Sequence, residues 1–142
     1  MSEVERTFIM LKPNCVERGL VGEVISRFEK KGLRIVQVKF LKMTRKMAEE
    51  LYSIHRGKDF YEKLVRTLEN KRVVAMIVEG RKAILVVRKI IGATDPVNAE
   101  PGTIRGDLAI DLTENLIHAS DSIESYQREY KIFFKDEELE TI

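Results

Sequence analysis

The chain has 142 residues, and its 25 basic and 23 acidic side chains leave a formal net charge of only +2. This suits one domain over 1–142 with a sizeable core, and it gives no electrostatic case for a nucleic-acid partner. A single cysteine, Cys15, excludes an internal disulfide and any zinc site built from several cysteines. No apolar run approaches the roughly 18–20 residues of a membrane span, and the opening Met-Ser-Glu-Val-Glu-Arg lacks the order of a signal peptide, so a cytoplasmic address is expected.

Thr7 to Leu11 is a short apolar run that suits a strand buried on both faces. Gly19 to Lys31 sets Leu20, Val21, Val24, Ile25 and Phe28 at helical spacing, and Gly32 stands where that helix ends. Leu33 to Leu41, rich in β-branched and apolar residues, predicts a second strand. Thr44 can cap a helix whose inward face is Met47, Ala48, Leu51 and Tyr52. A further helix near Phe60 to Glu69 would bury Tyr61, Leu64, Val65 and Leu68. Val73 to Val78 is an unbroken apolar run, hence a central strand, and Lys82 to Ile91 places Ala83, Ile84, Val87 and Ile90 on one helical face.

From Gly92 to about Asn115 the pattern turns irregular, interrupted by Gly92, Pro96, Pro101, Gly102 and Gly106. A loop that long inside one domain is usually functional or wrongly assigned. Leu116 and Ile117 read as the end of a buried strand, and Asp121 to Tyr130 as a helix with Ile123, Tyr126 and Tyr130 turned inward. The tail from Lys135 to Glu140 reads as a solvated face or a short terminal helix. The order β-α-β, helices, β-α-β predicts an α/β (α+β) sandwich of the ferredoxin-like βαββαβ kind. Its four-stranded antiparallel sheet would be covered by helices.

Only two histidines occur, His55 and His118. In Asn115-Leu-Ile-His118-Ala-Ser-Asp-Ser122 an apolar run delivers a histidine onto a helix start, with Ser120 and Asp121 as N-cap residues and Asp121 with Glu124 as a capping box. His118 is thereby expected at a strand-to-helix corner, near the positive end of a helix, where a phosphate is welcome. Neutral imidazole is a competent nucleophile near pH 7. Phosphoryl transfer asks the protein mainly for positioning and for positive charge around the equatorial oxygens. Lys12, Arg88 and Arg105 can bring that charge from three separate elements, Thr94 can add a hydroxyl, and Gly102 and Gly106 let the backbone approach closely. His55, in Ile54-His-Arg-Gly57, could lean towards a phosphate but reads more simply as an exposed loop histidine.

The segment around His118 resembles the active-site motif of the nucleoside diphosphate kinases, Asn-hydrophobic-Ile-His-Gly/Ala-Ser-Asp. Four further stretches are similar to that family in the same order: Arg6 to Pro13, Arg18 to Glu23, Val73 to Gly80 and Pro101 to Asp107. The resemblance runs from about Glu5 to Leu139. It implies a ping-pong phosphotransferase that passes the γ-phosphoryl group of a nucleoside triphosphate to a diphosphate through phosphohistidine on His118. Glu129 would accept a hydrogen bond from one ring nitrogen, with Ser120 helping to orient it, and Tyr52 would lie nearby. The family's phosphate contacts fall on Arg88, Thr94 and Arg105, and its sugar contacts on Lys12 and Asn115. The base would stack on Phe60, with Leu112 opposite and Leu64 at the edge, and such a slot discriminates poorly between bases. No cluster of Asp, Glu or His has the spacing of a metal site, so Mg²⁺ would arrive on the nucleotide phosphates. A homo-oligomer, most often a hexamer, is implied as well.

Two positions depart from the family pattern. Asn14-Cys15 stands where Asp then Gly or Ala is usual, and Asp59-Phe60-Tyr61 replaces Pro-Phe-Phe. The first bears on packing near Lys12, the second on the entrance to the base slot. Two other functions compete with the kinase. A silent nucleotide-binding or scaffold protein of the same fold would need a damaged site, yet every matched position is filled. A nucleic-acid module would show aromatics on its central strands, and Val73 to Val78 has none.

Overall fold

Four strands carry the molecule: β1 (Val4–Leu11), β2 (Arg34–Lys42), β3 (Arg72–Arg81) and β4 (Ile117–Ala119). They form one sheet in the order β2-β3-β1-β4 with every neighbouring pair antiparallel. The computed structural model describes residues 4–139, so the ends of the expected 1–142 domain and Glu140 of the tail lie outside the described residues. The ferredoxin-like sandwich expected from the sequence is thus present. The apolar run of β1 divides by alternation, Phe8 and Met10 to one face and Ile9 and Leu11 to the other, and all four are fully buried.

Helices α2 (Val21–Lys31) and α5 (Ala83–Ile91) cover the second of those faces, packing Val24, Phe28, Ala83 and Val87 against Ile9, Leu11, Val74, Met76 and Val78. Helices α3 (Arg45–Leu51), α4 (Tyr61–Leu68) and α7 (Ile123–Phe133) cover the other, packing Ala48, Leu51, Val65, Leu68 and Phe133 against Phe8, Met10, Val73, Ala75 and Ile77. Burial on both sides is why β1 and β3 read as continuous apolar runs. Two expected boundaries hold in detail. Thr44 accepts the Met47 N–H at 3.1 Å to start α3, and Gly32 ends α2 in the left-handed conformation at φ +103°. Among the described residues no helix is long and apolar enough to cross a membrane.

Elsewhere the chain departs from the sequence pattern. A short helix α1 (Pro13–Glu17) follows β1 directly. The region from Gly92 to Asn115 is an ordered connection, with a 3₁₀ turn at Pro96–Asn98 and helix α6 (Ile104–Leu108) capped by Thr103, whose Oγ1 accepts the Gly106 N–H. Helices of five residues carry too few turns to show periodicity. Helix α7 starts at Ile123, two residues later than the expected Asp121, behind the N-cap Ser122, whose Oγ accepts the Ser125 N–H at 3.0 Å. Ser120 hydrogen-bonds Glu129, and Asp121 accepts the Ser125 hydroxyl. The tail ends in a 3₁₀ turn at Asp136–Glu138 laid along β2 through Gln37 and Lys39.

Candidate active site

β4 is held to β1 over only three residue pairs, with Met10 opposite His118. The residue that aims His118 is Leu116. It is no part of a strand, as the sequence suggested, but sits at φ +76° in a three-residue turn closed by Ile117 N–H to the Asn115 carbonyl at 2.9 Å. That backbone is costly for a branched side chain, about 1–3 kcal/mol. Complete burial of the Leu116 side chain in the core offsets a similar amount, about 1.5–3 kcal/mol. Hydrogen bonds clamp the turn as well. Lys12 N–H donates to the Leu116 carbonyl at 2.8 Å, and the Arg105 guanidinium donates to the carbonyls of Asn115 and Ile117 at 3.3 and 2.6 Å.

The His118 ring then meets α7. Its Nε2 lies 2.9 Å from Glu129 Oε1, which also accepts the Ser120 hydroxyl at 2.7 Å. Glu129 is only 3% exposed, and a buried carboxylate needs such partners. Burial alone would push its pKa up, but the His118 and Ser120 hydrogen bonds and the Arg128 charge prevail and hold the pKa below the ordinary value. An ionised carboxylate only accepts, so in the neutral ring Nε2 carries the proton and Nδ1 the lone pair. Nδ1 has no hydrogen bond among the described residues. Phe8 packs beside the ring, centroids 6.3 Å apart, and is itself stacked on Phe133. Tyr52, buried at the end of α3, feels the Glu129 charge. Burial first and that carboxylate second raise its phenol to about 12.

Three cations converge on this corner. Lys12 Nζ donates to Asn115 Oδ1 at 2.8 Å, and Asn115 Nδ2 in turn donates to the Thr94 carbonyl at 2.9 Å. Burial and then the Arg105 charge bring the Lys12 ammonium down to about 8. Arg105 is 5% exposed, and it comes from α6 where an irregular loop was expected. Its third bond goes to the Gly92 carbonyl at 3.2 Å, and burial with the neighbouring Arg88 charge lowers it to about 10. Arg88, on α5, reaches the Ala119 carbonyl at 3.4 Å. None of the three forms an ion pair with a carboxylate among the described residues. Carbonyls fix their positions, and although the Arg88 charge also acts on the Asp121 carboxylate, the corner keeps an excess of positive charge, which is an anion site in electrostatic terms.

Gly106 makes this packing possible. A Cβ there would collide with the Glu100 carbonyl, so the close approach expected of Gly106 is within the chain. Gly102 differs: a Cβ would meet nothing, and its role is the left-handed φ of +96°. The Thr94 side chain is exposed, as are Phe60 (46%) at the start of α4 and Leu112 (55%) in the loop before β4. Leu64 is half-buried and packs into the core cluster beneath α4. A cavity of about 110 Å³ opens beside Lys12, bordered by Asn14, Thr67, Lys71 and Thr113. Asn14 donates to the Glu114 carbonyl at 2.9 Å and so braces the segment that leads to Asn115. Cys15 is fully buried, its thiol pushed up to about 11 by burial, which suits packing and not reactivity.

Two residues stand closer to the site than their sequence context suggests. His55 is not an exposed loop residue: it lies half-buried in a 3₁₀ turn (Ser53–His55), its ring 5.2 Å from Phe60 and 6.3 Å from Tyr52. Arg128 reaches Glu129 Oε2 at 3.2 Å. Aromatic spacing from Tyr52 to Phe60 could have hinted at the first.

A family model described as nucleoside diphosphate kinase matches residues 5–139. The nucleoside diphosphate kinase of Hyperthermus butylicus is 60% identical over 136 residues, covering 96% of this chain and 96% of that protein. That of Methanocaldococcus jannaschii is 55% identical over 135 residues, covering 95% and 96%. Among solved structures, a halophilic nucleoside diphosphate kinase from Halobacterium salinarum in complex with CDP superposes with a TM-score of 0.93 at 44% identity, over 99% of this chain and 93% of that one. A transition-state mimic of the Borrelia burgdorferi enzyme with bound vanadate and ADP gives 0.92 at 36% identity, over 98% and 92%. With the corner around His118 built as described, these matches establish that the chain belongs to the nucleoside diphosphate kinase family and is a phosphotransferase of that family.

Proposed function

We propose that His118 is the nucleophile of a ping-pong transfer between nucleoside triphosphates and diphosphates, the whole chain from 1 to 142 acting as one domain. The observation that carries this is the Nε2–Glu129 hydrogen bond of 2.9 Å, which turns Nδ1 of the ring away from the carboxylate on a strand whose flanking carbonyls hold Arg105 and Arg88. The Nδ1 lone pair attacks the γ-phosphorus, the bond from phosphorus to the β,γ-bridging oxygen breaks, and the nucleoside diphosphate departs with that electron pair. Glu129 stabilises the positive charge that grows on the ring, and Ser120 holds the carboxylate in place. A second diphosphate then attacks the phosphohistidine by the reverse of the same step.

Arg88, Arg105 and the Thr94 hydroxyl contact the phosphates, Lys12 and Asn115 the sugar, and Tyr52 helps to shape the pocket around His118. The base lies between Phe60 and Leu112 with Leu64 at its edge, and an apolar slot of this kind accepts every base. The substrate is the magnesium complex of the nucleotide. The ion is assigned to the nucleotide phosphates and water, as suits a hard cation that gives up its hydration reluctantly. The enzyme is expected to work in the cytoplasm as a homo-oligomer, a hexamer built from dimers. Exposed apolar side chains on the edge strand β2, Val38 and Phe40 (53%), support self-association.

Mixing the protein with ATP and Mg²⁺ without an acceptor, and then measuring its intact mass, tests the reading. The expected result is a gain of one phosphate that is lost in acid, discharged by GDP and absent from His118→Ala. Folded, nucleotide-binding protein that takes up no phosphate would overturn it.

A further inference from the structure

Glu129 presents two oxygens, and the arrangement around His118 uses one. Oε1 receives both His118 Nε2 and the Ser120 hydroxyl. Oε2, equally shut away on a residue that is 3% exposed, has a single partner, Nη2 of Arg128 at 3.2 Å. Successive residues on a helix point about 100° apart and do not ordinarily meet, so this contact is no by-product of α7. The guanidinium is pulled to it from the other side. Its Nη1 donates to the Glu50 carbonyl in the last turn of α3 at 3.2 Å, and it reaches Ser53 Oγ at 3.5 Å. One planar fork therefore spans from the helix that carries Glu129 to the segment that carries Tyr52 and His55. His55 registers the same charge: burial first, then Lys58 and Arg128, lower its basicity.

We propose that Arg128 is a positioning residue for the phosphoryl transfer, fixing the outer oxygen of Glu129 so that the inner one stays against His118. The inference rests on His118 being the nucleophile. A carboxylate held at one oxygen only can turn about its own axis, and each turn removes the partner that keeps the proton on Nε2 and the lone pair on Nδ1. Arg128 is the only cation within ion-pair distance of Oε2 among the described residues, and the groups that face the carboxylate are His118, Ser120, Tyr52 and Arg128. Removing Arg128 therefore leaves a buried oxygen unmatched. Arginine suits the place because its fork serves carbonyl and carboxylate at once.

The test is a double-mutant cycle read in the first-order rate of His118 phosphorylation at saturating ATP and Mg²⁺, with ADP affinity measured alongside. Arg128→Met should slow phosphorylation about tenfold while leaving the ADP dissociation constant within about twofold, since the lost hydrogen bond is to a charged group. In a Glu129→Gln background, where there is no carboxylate left to position, the same change should alter the rate by less than about twofold. Arg128→Lys should recover most of the rate. Equal losses in both backgrounds, or a loss confined to ADP affinity, would overturn the proposal and leave Arg128 as a brace for the Tyr52–His55 turn. Absence of phosphohistidine from the unaltered protein would instead remove the nucleophile reading itself.

Discussion

Raising the pH from 7 to 9 while titrating ADP exposes the state of Lys12. Burial and the Arg105 charge bring its ammonium to about 8 in the free protein, against about 10.4 for a free lysine. On the proposed binding mode, phosphates and sugar oxygens come beside it and favour the charged form, so the bound value is higher and binding takes up a proton wherever the free lysine has lost one. With a free value of about 8, the side chain is roughly 90% protonated at pH 7 and roughly 10% at pH 9. Uptake on binding is then about 0.1 proton per ADP at pH 7 and about 0.9 at pH 9, and the affinity falls about tenfold across the interval. The ADP phosphates are themselves fully ionised in the upper half of this range, and Cys15 at about 11 and Tyr52 at about 12 lie above it. Calorimetric titration of ADP in two buffers of different ionisation enthalpy measures the protons directly. Lys12→Met should abolish both the uptake and the pH dependence. A wild-type uptake near zero at pH 9, with constant affinity, would refute the depressed ammonium and with it the crowding of the Lys12 and Arg105 charges.

Three other substitutions probe the surroundings. Thr7 is fully buried in β1 and its hydroxyl has no partner among the described residues; Thr7→Val should raise stability to urea by about 1 kcal/mol, and a loss would mean that the hydroxyl is bonded. Gly106→Ala forces a methyl group onto the Glu100 carbonyl, which should cost about 2 kcal/mol in stability and weaken ADP binding by shifting Arg105; unchanged ADP affinity would uncouple α6 from the site. Phe60→Ala removes a stacking surface that is 46% exposed, so the dissociation constants of ADP, GDP and CDP should all rise by about tenfold; an effect on one base alone would contradict an unselective slot.

What could be read from the sequence was whatever depends on side-chain type at fixed spacing. The apolar runs of β1 and β3, the left-handed Gly32 and the Thr44 cap each follow from local rules, and the structure keeps them. His118, Glu129 and Ser120 were legible through the motif and the family resemblance it carries, and the structure brings the three together through hydrogen bonds of 2.9 and 2.7 Å. What stayed hidden depends on tertiary contacts. Leu116 at φ +76° is invisible because leucine seldom takes that backbone, and only the clamp by Lys12 and Arg105 holds it there. Helix α6 was lost among glycines and prolines, although Thr103 three residues before Gly106 is a legitimate cap. Ser120 and Asp121 looked like the cap of α7, but hydrogen bonds to Glu129 and Ser125 engage them first. Arg128 carries no signal at all, since an arginine on a helix flank is ordinarily solvated.

Arg105 shows why the corner is built before any nucleotide arrives. A guanidinium has five N–H donors, and here Nε, Nη1 and Nη2 each give one to the carbonyls of Asn115, Gly92 and Ile117. Two donors remain, and they belong to a group whose charge no carboxylate cancels. The same side chain can therefore hold the strained turn that aims His118 and still donate to a phosphate, without letting go of either. Lys12 repeats the pattern: its backbone N–H clamps Leu116 while its ammonium stands over Asn115. Because the strain at Leu116 and the mutual repulsion of Lys12, Arg105 and Arg88 are borne by the free protein, the phosphoryl group, on the proposed reading of the site, enters a field already oriented for it. Dipoles and charges fixed in advance need no reorganisation as charge moves from oxygen to the ring, and a bound nucleotide returns to the fold part of the stability that the cations withhold from it.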